Sequence, residues 1–289
     1  MRRPLMLWLL GDGKPGHENQ SHGLAEAIGR LVPCDFHRIP VDSWRAACRE
    51  AGGLQRPDFV MGAGHATHRL LWWLARRHRA RSVVLMRPSL PGWLFDRIIA
   101  PEHDFKTPPA SGGRVLATRG ALNRVVPAAG GPRKGRLILL GGPSKHHGWD
   151  GVAMRAMLRQ IAERAPDVEV ADSRRTPEGF FESLDWIKAR HSHRQTPPGW
   201  LAERLAVAEE VWVTEDSVSM VYEALTGGAM VGVLPVPRIR AQARVIQGLD
   251  RLVEAGWGTP FSKWIEHGAL QAPPHRLAEA DRAARWLLP

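Results

Sequence analysis

Short, continuous apolar runs alternate along this chain with stretches in which apolar residues recur every three or four positions. Glycine-bearing polar turns separate the two. "PLMLWLL", "PDFVMGAG", "SVVLMRP", "RLILLGGPS", "EVWVTE" and "MVGVLPVP" show no in–out alternation, which is the pattern of strands buried on both faces of a parallel sheet. Leu24, Ala27, Ile28 and Leu31 share one face of a helix predicted over residues 20–31. Further helices are predicted at "HATHRLLWWLARRH", from Gly151 to Arg164, near Glu178–Arg190, from Asp216 onward, and at "HRLAEADRAARWLL"; "CDFHRIPV" and "DRIIAPE" add strands. Strand, turn and helix repeated in this order make an α/β chain. At "PAAGGPRKG" the composition shifts to glycine, proline and charge, and the pattern then restarts. Two Rossmann-like domains are therefore expected, 1–131 and 132–289, with the last helix free to pack back on the first.

Composition refines this picture in three places. Cys34 and Cys48 are the two cysteines; they lack metal-ligand spacing and are too few for a disulfide framework, which predicts a reducing, cytoplasmic setting and no metal. The first apolar run stops at Gly11 without a small-residue cleavage site, and no stretch approaches the roughly 20 apolar residues of a membrane span. A net charge of +11 favours an anionic partner. The arginines are spread along helices rather than gathered in a tail, and a nucleic-acid role would rest on charge alone, so none is expected. Twelve tryptophans against one tyrosine point to core and seam positions, while "LLWWLARRH" and "PGWLFD" suit amphipathic contact with an anionic membrane surface, which predicts a cytoplasmic protein able to sit on the inner face of the membrane.

The first strand runs into "LGDGKPGHENQ". Gly11, Gly13 and Gly16 satisfy the G-x-G-x-x-G dinucleotide fingerprint. Only Asp42 is available as the acid that should end the second strand, and Lys14 precedes the last glycine, so neither a complete dinucleotide site nor a Walker loop results. A third possibility is an anion or sugar site, with Gly13 and Gly16 admitting backbone approach and Lys14, His17, Glu18, Asn19 and Gln20 supplying polar contacts. A plain polar helix start with Asp12 capping it would also give this pattern.

The second half carries the sharper signal. In "VWVTEDSVSMVYEALTGGAMVGVLP", Asp216, Ser217 and Ser219 stand where a helix begins, a place suited to a pyrophosphate. Glu223, further along the same helix, suits ribose or sugar hydroxyls. The acids Glu215 and Asp216 argue against dense phosphate contact by side chains. "GGPS" (Gly141, Gly142, Pro143, Ser144) and "SRRTP", whose Arg174 and Arg175 can fork onto phosphate oxygens, end other strands of this half. If the strands are parallel, all three loops converge at the carboxyl edge of one sheet.

The blocks "GDGKPGHENQSHGLAEAI", "GAGHAT", "FDRIIAPEHD", "LLGGPSKHH", "SRRTP" and "VTEDSVSMVYEA" resemble the mitochondrial-fission "elongated mitochondria" family, in which this chain looks like a bacterial relative. His65 and "TGGAM" depart from the family's pattern. The family resembles GT-B glycosyltransferases, which implies two Rossmann-like domains with parallel sheets facing a central cleft. The resemblance places Ser217, Ser219 and the Gly142–Ser144 loop near the diphosphate of a nucleotide-sugar, Glu223 on its ribose or sugar, and His17 as the acceptor-side base. It implies a metal-independent transferase using a nucleotide-sugar, UDP-type, as substrate with no further cofactor, and acting on a cell-envelope or lipid-linked acceptor; Asp12 could replace His17. Two rivals stand beside this: a non-catalytic adaptor, the role the plant member suggests, and an NAD-type oxidoreductase or nucleotide-sugar epimerase built on the opening glycines.

Overall fold

The computed structural model describes residues 3–105, 107, 113–130 and 132–288. The chain forms two compact units, one running to Arg124 and including Ala278 onward, the other spanning Val125–Leu277.

The first unit alternates strand and helix: β1 (Leu5–Gly11), α1 (Pro15–Gly29), β2 (Cys34–Pro40), α2 (Trp44–Gly52), β3 (Phe59–Ala63), α3 (His68–His78), β4 (Arg81–Leu85), β5 (Arg97–Pro101) and β6 (Val115–Thr118). All pairings are parallel, in the order β2-β1-β3-β4-β5-β6. Successive β1 side chains divide between two cores, Leu7 and Leu9 on one face, Met6, Trp8 and Leu10 on the other, as the strand's two-residue period requires. This is why "LMLWLL" carries no polar residue.

The second unit repeats the plan with β7 (Arg136–Leu139), α4 (Gly151–Arg164), β8 (Glu169–Ala171), β9 (Ala189–His191), α5 (Trp200–Val207), β10 (Glu210–Thr214), α6 (Val218–Gly227), β11 (Met230–Leu234), α7 (Arg244–Glu254), β12 (Thr259–Pro260) and α8 (Phe261–His267). Its strands are also all parallel, ordered β12-β11-β10-β7-β8-β9. The last helix, α9 (Glu279–Leu287), packs on α1 of the first unit, where Asp281 receives Arg30 Nη2 at 2.6 Å.

Two expectations about helices need correction, and the segment where the composition shifts has hydrogen-bond partners of its own. The helix expected near Glu178–Arg190 is a chain of turns closed by Phe180→Pro177, Leu184→Phe181 and Ile187→Leu184 backbone bonds, followed by β9. Gly179, at φ 75°, breaks a helix there, yet Phe180, Leu184 and Ile187 are buried at helix-like spacing. The first helix starts at Pro15, not near residue 20, so His17–Gln20 belong to its opening turns. The glycine–proline segment is bound rather than free: Ala128 and Lys134 amides donate to Ala206 and Val207 carbonyls, and Arg133 Nε and Nη2 donate to Ala208 and Leu205 carbonyls at 2.8 and 3.0 Å. These bonds satisfy the C-terminal carbonyls of α5, which would otherwise lack partners.

Candidate functional site

In each sheet the chain leaves one central strand toward one side and a neighbouring strand toward the other. The switch lies between β1 and β3 in the first unit and between β7 and β10 in the second. Loops diverge there at the carboxyl edge, the usual ligand position of open α/β sheets.

At the first switch point Gly13, at φ 74°, turns the chain so that the Lys14 amide donates to Asp12 Oδ1 at 3.2 Å. One turn into α1, His17 Nδ1 lies 3.0 and 2.9 Å from the two Asp12 oxygens. A carboxylate only accepts, so Nδ1 is the nitrogen that donates to Asp12. Burial pushes the Asp12 carboxyl up, and the His17 hydrogen bond, the Lys14 amide and both positive charges together hold it below its ordinary 3.8. Gly64, at φ 87° in the β3–α3 turn, closes the other side; a Cβ there would overlap the His17 imidazole.

The remaining predicted residues of this loop divide by environment. Lys14 is exposed, with Nζ 3.4 Å from Asp12 Oδ2. Asn19 is half-buried. Gln20 is turned inward, buried, its Nε2 donating to Gly16 O at 3.3 Å, which removes it from the ligand contacts. Gly16 is exposed, and a Cβ on it would meet nothing, so the third glycine lacks the helix–strand packing that a dinucleotide fold demands of it. Glu18 pairs with Arg38 at 2.5 Å and lies over Gly11, putting a carboxylate where a dinucleotide would need to bring its pyrophosphate. The NAD reading loses its support on both counts.

At the second switch point the three predicted loops meet. The Gly142 amide donates to Asp216 Oδ2 at 3.0 Å, and Arg175 Nη1 donates to Gly142 O at 2.7 Å and lies 2.6 Å from Asp216 Oδ2. A Cβ on Gly141 would overlap the Asp216 carboxylate, and one on Gly142 the Arg175 carbonyl; the double glycine exists to let these loops touch. Two assignments change accordingly. Asp216, its side chain fully buried, ties loops together instead of facing a ligand. Ser144 does the same within its own turn, its Oγ accepting from the His146 and His147 amides at 3.2 and 3.1 Å. Pro143 is exposed. The acid that precedes Asp216 is neutralised too: Glu215 receives Arg238 Nη2 at 2.6 Å, and the hydrogen bonds that this guanidinium donates to Glu215 and Asp250 hold it above its ordinary value.

Beside this knot opens a cavity of about 520 Å³ lined by Ser173, Arg174, Arg175, Ser217 and Ser219 and by His191, Trp200 and Met220. The first α6 hydrogen bonds run from Met220 and Val221 to Ser217 O, so the Val218 and Ser219 amides precede the helical ladder and remain available to an anion. Ser217 makes no side-chain cap, and its Oγ receives only a long 3.4 Å contact from Arg175 Nη2. The exposed Arg174 guanidinium has no ion pair with a described residue. Glu223, half-buried, is one turn beyond Ser219 on the same helix side, outside the cavity lining.

Sequence reasoning missed the cavity's aromatic wall. His191 and Trp200 rings pack 4.6 Å apart; His191 Nε2 is fixed by Glu169 Oε2 at 2.7 Å, and His193 Nδ1 lies 3.0 Å from Asp172 Oδ2. The run "HSHRQTPPGW", which begins at the last residue of β9, was the available signal. Among the described residues, no three His, Cys, Asp or Glu side chains are placed to hold a metal ion, and no helix is long and apolar enough to cross a membrane.

Comparison with known proteins adds the following. The family model described as "Mitochondrial fission ELM1" matches residues 15–289. "Uncharacterized protein RP120" of Rickettsia prowazekii (strain Madrid E) is 24% identical over 115 residues, 35% of this chain and 32% of the relative, so the match spans about a third of that protein's length. Among solved structures, a Listeria monocytogenes protein assigned as a UDP-N-acetylglucosamine 2-epimerase superposes with a TM-score of 0.56 at 15% identity, covering 98% of this chain and 91% of its own. A UDP-glucosyltransferase from Polygonum tinctorium does so with a TM-score of 0.50 at 10% identity, covering 99% and 95%. At these identities the likeness establishes the fold, which is GT-B.

Proposed function

The chain belongs to the mitochondrial fission ELM1 family and has the GT-B fold, and from that premise we propose that it binds a nucleotide-sugar of UDP type in the second unit and transfers the sugar to an envelope or lipid-linked acceptor hydroxyl. The observation that carries this is the cavity at the β7/β10 switch point, where Arg174, Ser217, Ser219 and the opening amides of α6 converge. Its volume lies in the range of sites that enclose drug-sized ligands, about 300–1,000 Å³. The diphosphate takes the α6 amides, the serine hydroxyls and Arg174, and the base takes the His191–Trp200 wall. Glu223 stands one turn on, within the reach expected of a ribose or sugar partner.

Transfer forms a bond from the acceptor oxygen to the sugar's anomeric carbon and breaks the bond from that carbon to the diphosphate, which leaves with the electron pair. Helix amides and a guanidinium aimed at those oxygens stabilise the leaving charge. His17 Nε2 takes the acceptor proton, and Asp12 holds the imidazole in the required tautomer and offsets its new charge. Asp12 thus positions the base and does not replace it.

Calorimetry with UDP and UDP-, GDP-, ADP- and CMP-sugars tests the proposal. UDP compounds should bind, and Arg174→Ala should weaken them by about tenfold or more, the loss of one charge-assisted hydrogen bond. Absence of heat with every nucleotide, or an unchanged affinity in Arg174→Ala, would overturn it. Turnover without an acceptor would mark an epimerase, and binding without turnover an adaptor.

A further inference from the structure

We infer that the outward side of α3 docks the first unit onto an anionic bilayer surface. On a helix, residues three and four apart are neighbours. Trp73 therefore stands between Arg69, Arg76 and Arg77, all exposed, while His68, Leu70, Leu71, Leu74 and Ala75 face the core. The outer face of α3 thus carries three guanidinium groups, the half-buried indoles of Trp72 and Trp73, and no acid. Trp44, at the start of the neighbouring α2 and 46% exposed, packs its ring 5.4 Å from that of Trp73.

The charge on this face is uncompensated. None of Arg69, Arg76 and Arg77, nor Arg45 and Arg49 of α2, has an ion pair with a described residue. The nearby acids Asp42 and Glu50 act instead on Arg38 of β2, together with Glu18, and help hold that guanidinium above its ordinary value. Arginines of a globular surface that lack carboxylates, gathered around one exposed and two half-buried indoles, match an anionic lipid interface, where indoles settle at headgroup depth and each cation gains from the negative surface potential. Arginine beside tryptophan also suits single-stranded nucleic acid, but that use needs an open ring face on which a base can stack. Here Trp72 and Trp73 are half-buried against the core and Trp44 leans on Trp73 at 58°, so the three rings make no flat platform. The bilayer is therefore the favoured occupant. This face belongs to the first unit and the nucleotide cavity to the second, with no residue in common, so the two proposals stand or fall separately.

The experiment is vesicle flotation of the full chain with phosphatidylcholine alone and with phosphatidylcholine containing phosphatidylglycerol. Binding is expected only where phosphatidylglycerol is present, and should fall as salt is raised. The triple variant Arg69→Glu, Arg76→Glu, Arg77→Glu should lose about a hundredfold or more in partitioning, at about fivefold per arginine removed. The corresponding lysine triple should stay within a few-fold of the parent. Trp44→Ala with Trp73→Ala should weaken binding with the salt dependence preserved. Equal binding to neutral vesicles, an undiminished glutamate triple with a native circular dichroism spectrum, or tighter binding of a single-stranded RNA at the same salt would each overturn the inference.

Discussion

Asp216→Ala separates a residue that ties loops from one that touches ligand. In the parent, Oδ2 accepts the Gly142 amide at 3.0 Å and faces Arg175 Nη1 at 2.6 Å, with the carboxylate side chain fully buried. Truncation strands a buried amide, which costs about 1–3 kcal/mol. It also takes away the counter-charge of the Arg175 guanidinium, which keeps its bonds to Gly142 O and Ser217 Oγ. A fully buried orphan would cost about 3–5 kcal/mol, but the Arg175 side chain is 38% exposed and can rehydrate, which brings that contribution nearer to the roughly 1 kcal/mol of a surface pair. The sum is about 2–4 kcal/mol, equivalent to about 5–12 °C in Tm for a unit of this size. Asp216→Asn keeps an acceptor for Gly142 and loses only the charge, so it should cost about half as much. A double-mutant cycle with Arg175→Ala should return a coupling of about 1–2 kcal/mol. Thermal unfolding gives the stability and UDP calorimetry the affinity. An alanine variant that melts within about 1 °C of the parent yet loses nucleotide affinity would refute the reasoning and return Asp216 to the ligand contacts.

Two further predictions concern the first unit. Gly64→Ala places a Cβ on the His17 imidazole from a backbone at φ 87°; it should lower stability by about 2 kcal/mol or more and slow transfer while leaving UDP affinity unchanged, and unaltered turnover in a folded variant would argue against the dyad. His68 is buried, with Nδ1 accepting from the Ser89 amide at 3.0 Å. Burial first, then the charges of His65 and His17, bring it from 6.5 down to about 4. The unfolded chain therefore takes up this proton first, so the contribution is complete above pH 6.5 and declines as pH falls toward 4, at up to about 1.4 kcal/mol per unit. Urea midpoints at pH 7 and 5 should show that decline in the parent and a smaller one in His68→Asn; equal slopes would exclude His68 as the source.

Much of the architecture was legible in residue pattern because burial on two faces leaves strands like "LMLWLL" and "MVGVL" with nothing polar in them. The stretch after Pro177 was not, since Phe180, Leu184 and Ile187 keep a helical interval whether the chain coils or closes three-residue turns. Periodicity reports which side is buried, not which hydrogen bonds bring it there. The opening glycines misled for a similar reason. Gly13 is required by its φ and Gly16 by nothing nearby, so the same letter at the fingerprint spacing stands for unrelated constraints.

The ligand residues posed a harder problem, and the two switch points show why. In each, a carboxylate from the loop after one strand accepts from a neighbouring side chain: Asp12 from His17 in the first unit, Asp216 from Arg175 in the second. A polar residue at the carboxyl edge of a sheet can thus join loops or face a ligand, and its chemical type is the same in both uses. What distinguishes them is whether its charge is already answered. Arg174 and Arg175 are adjacent and identical in sequence terms, yet Arg175 is held by Asp216, Gly142 and Ser217, whereas Arg174 projects over the cavity without a counter-ion. A phosphate arriving at the cavity would have to break existing bonds to engage Arg175 and none to engage Arg174. For that reason the affinity for a diphosphate should follow Arg174, and the integrity of the loops should follow Arg175.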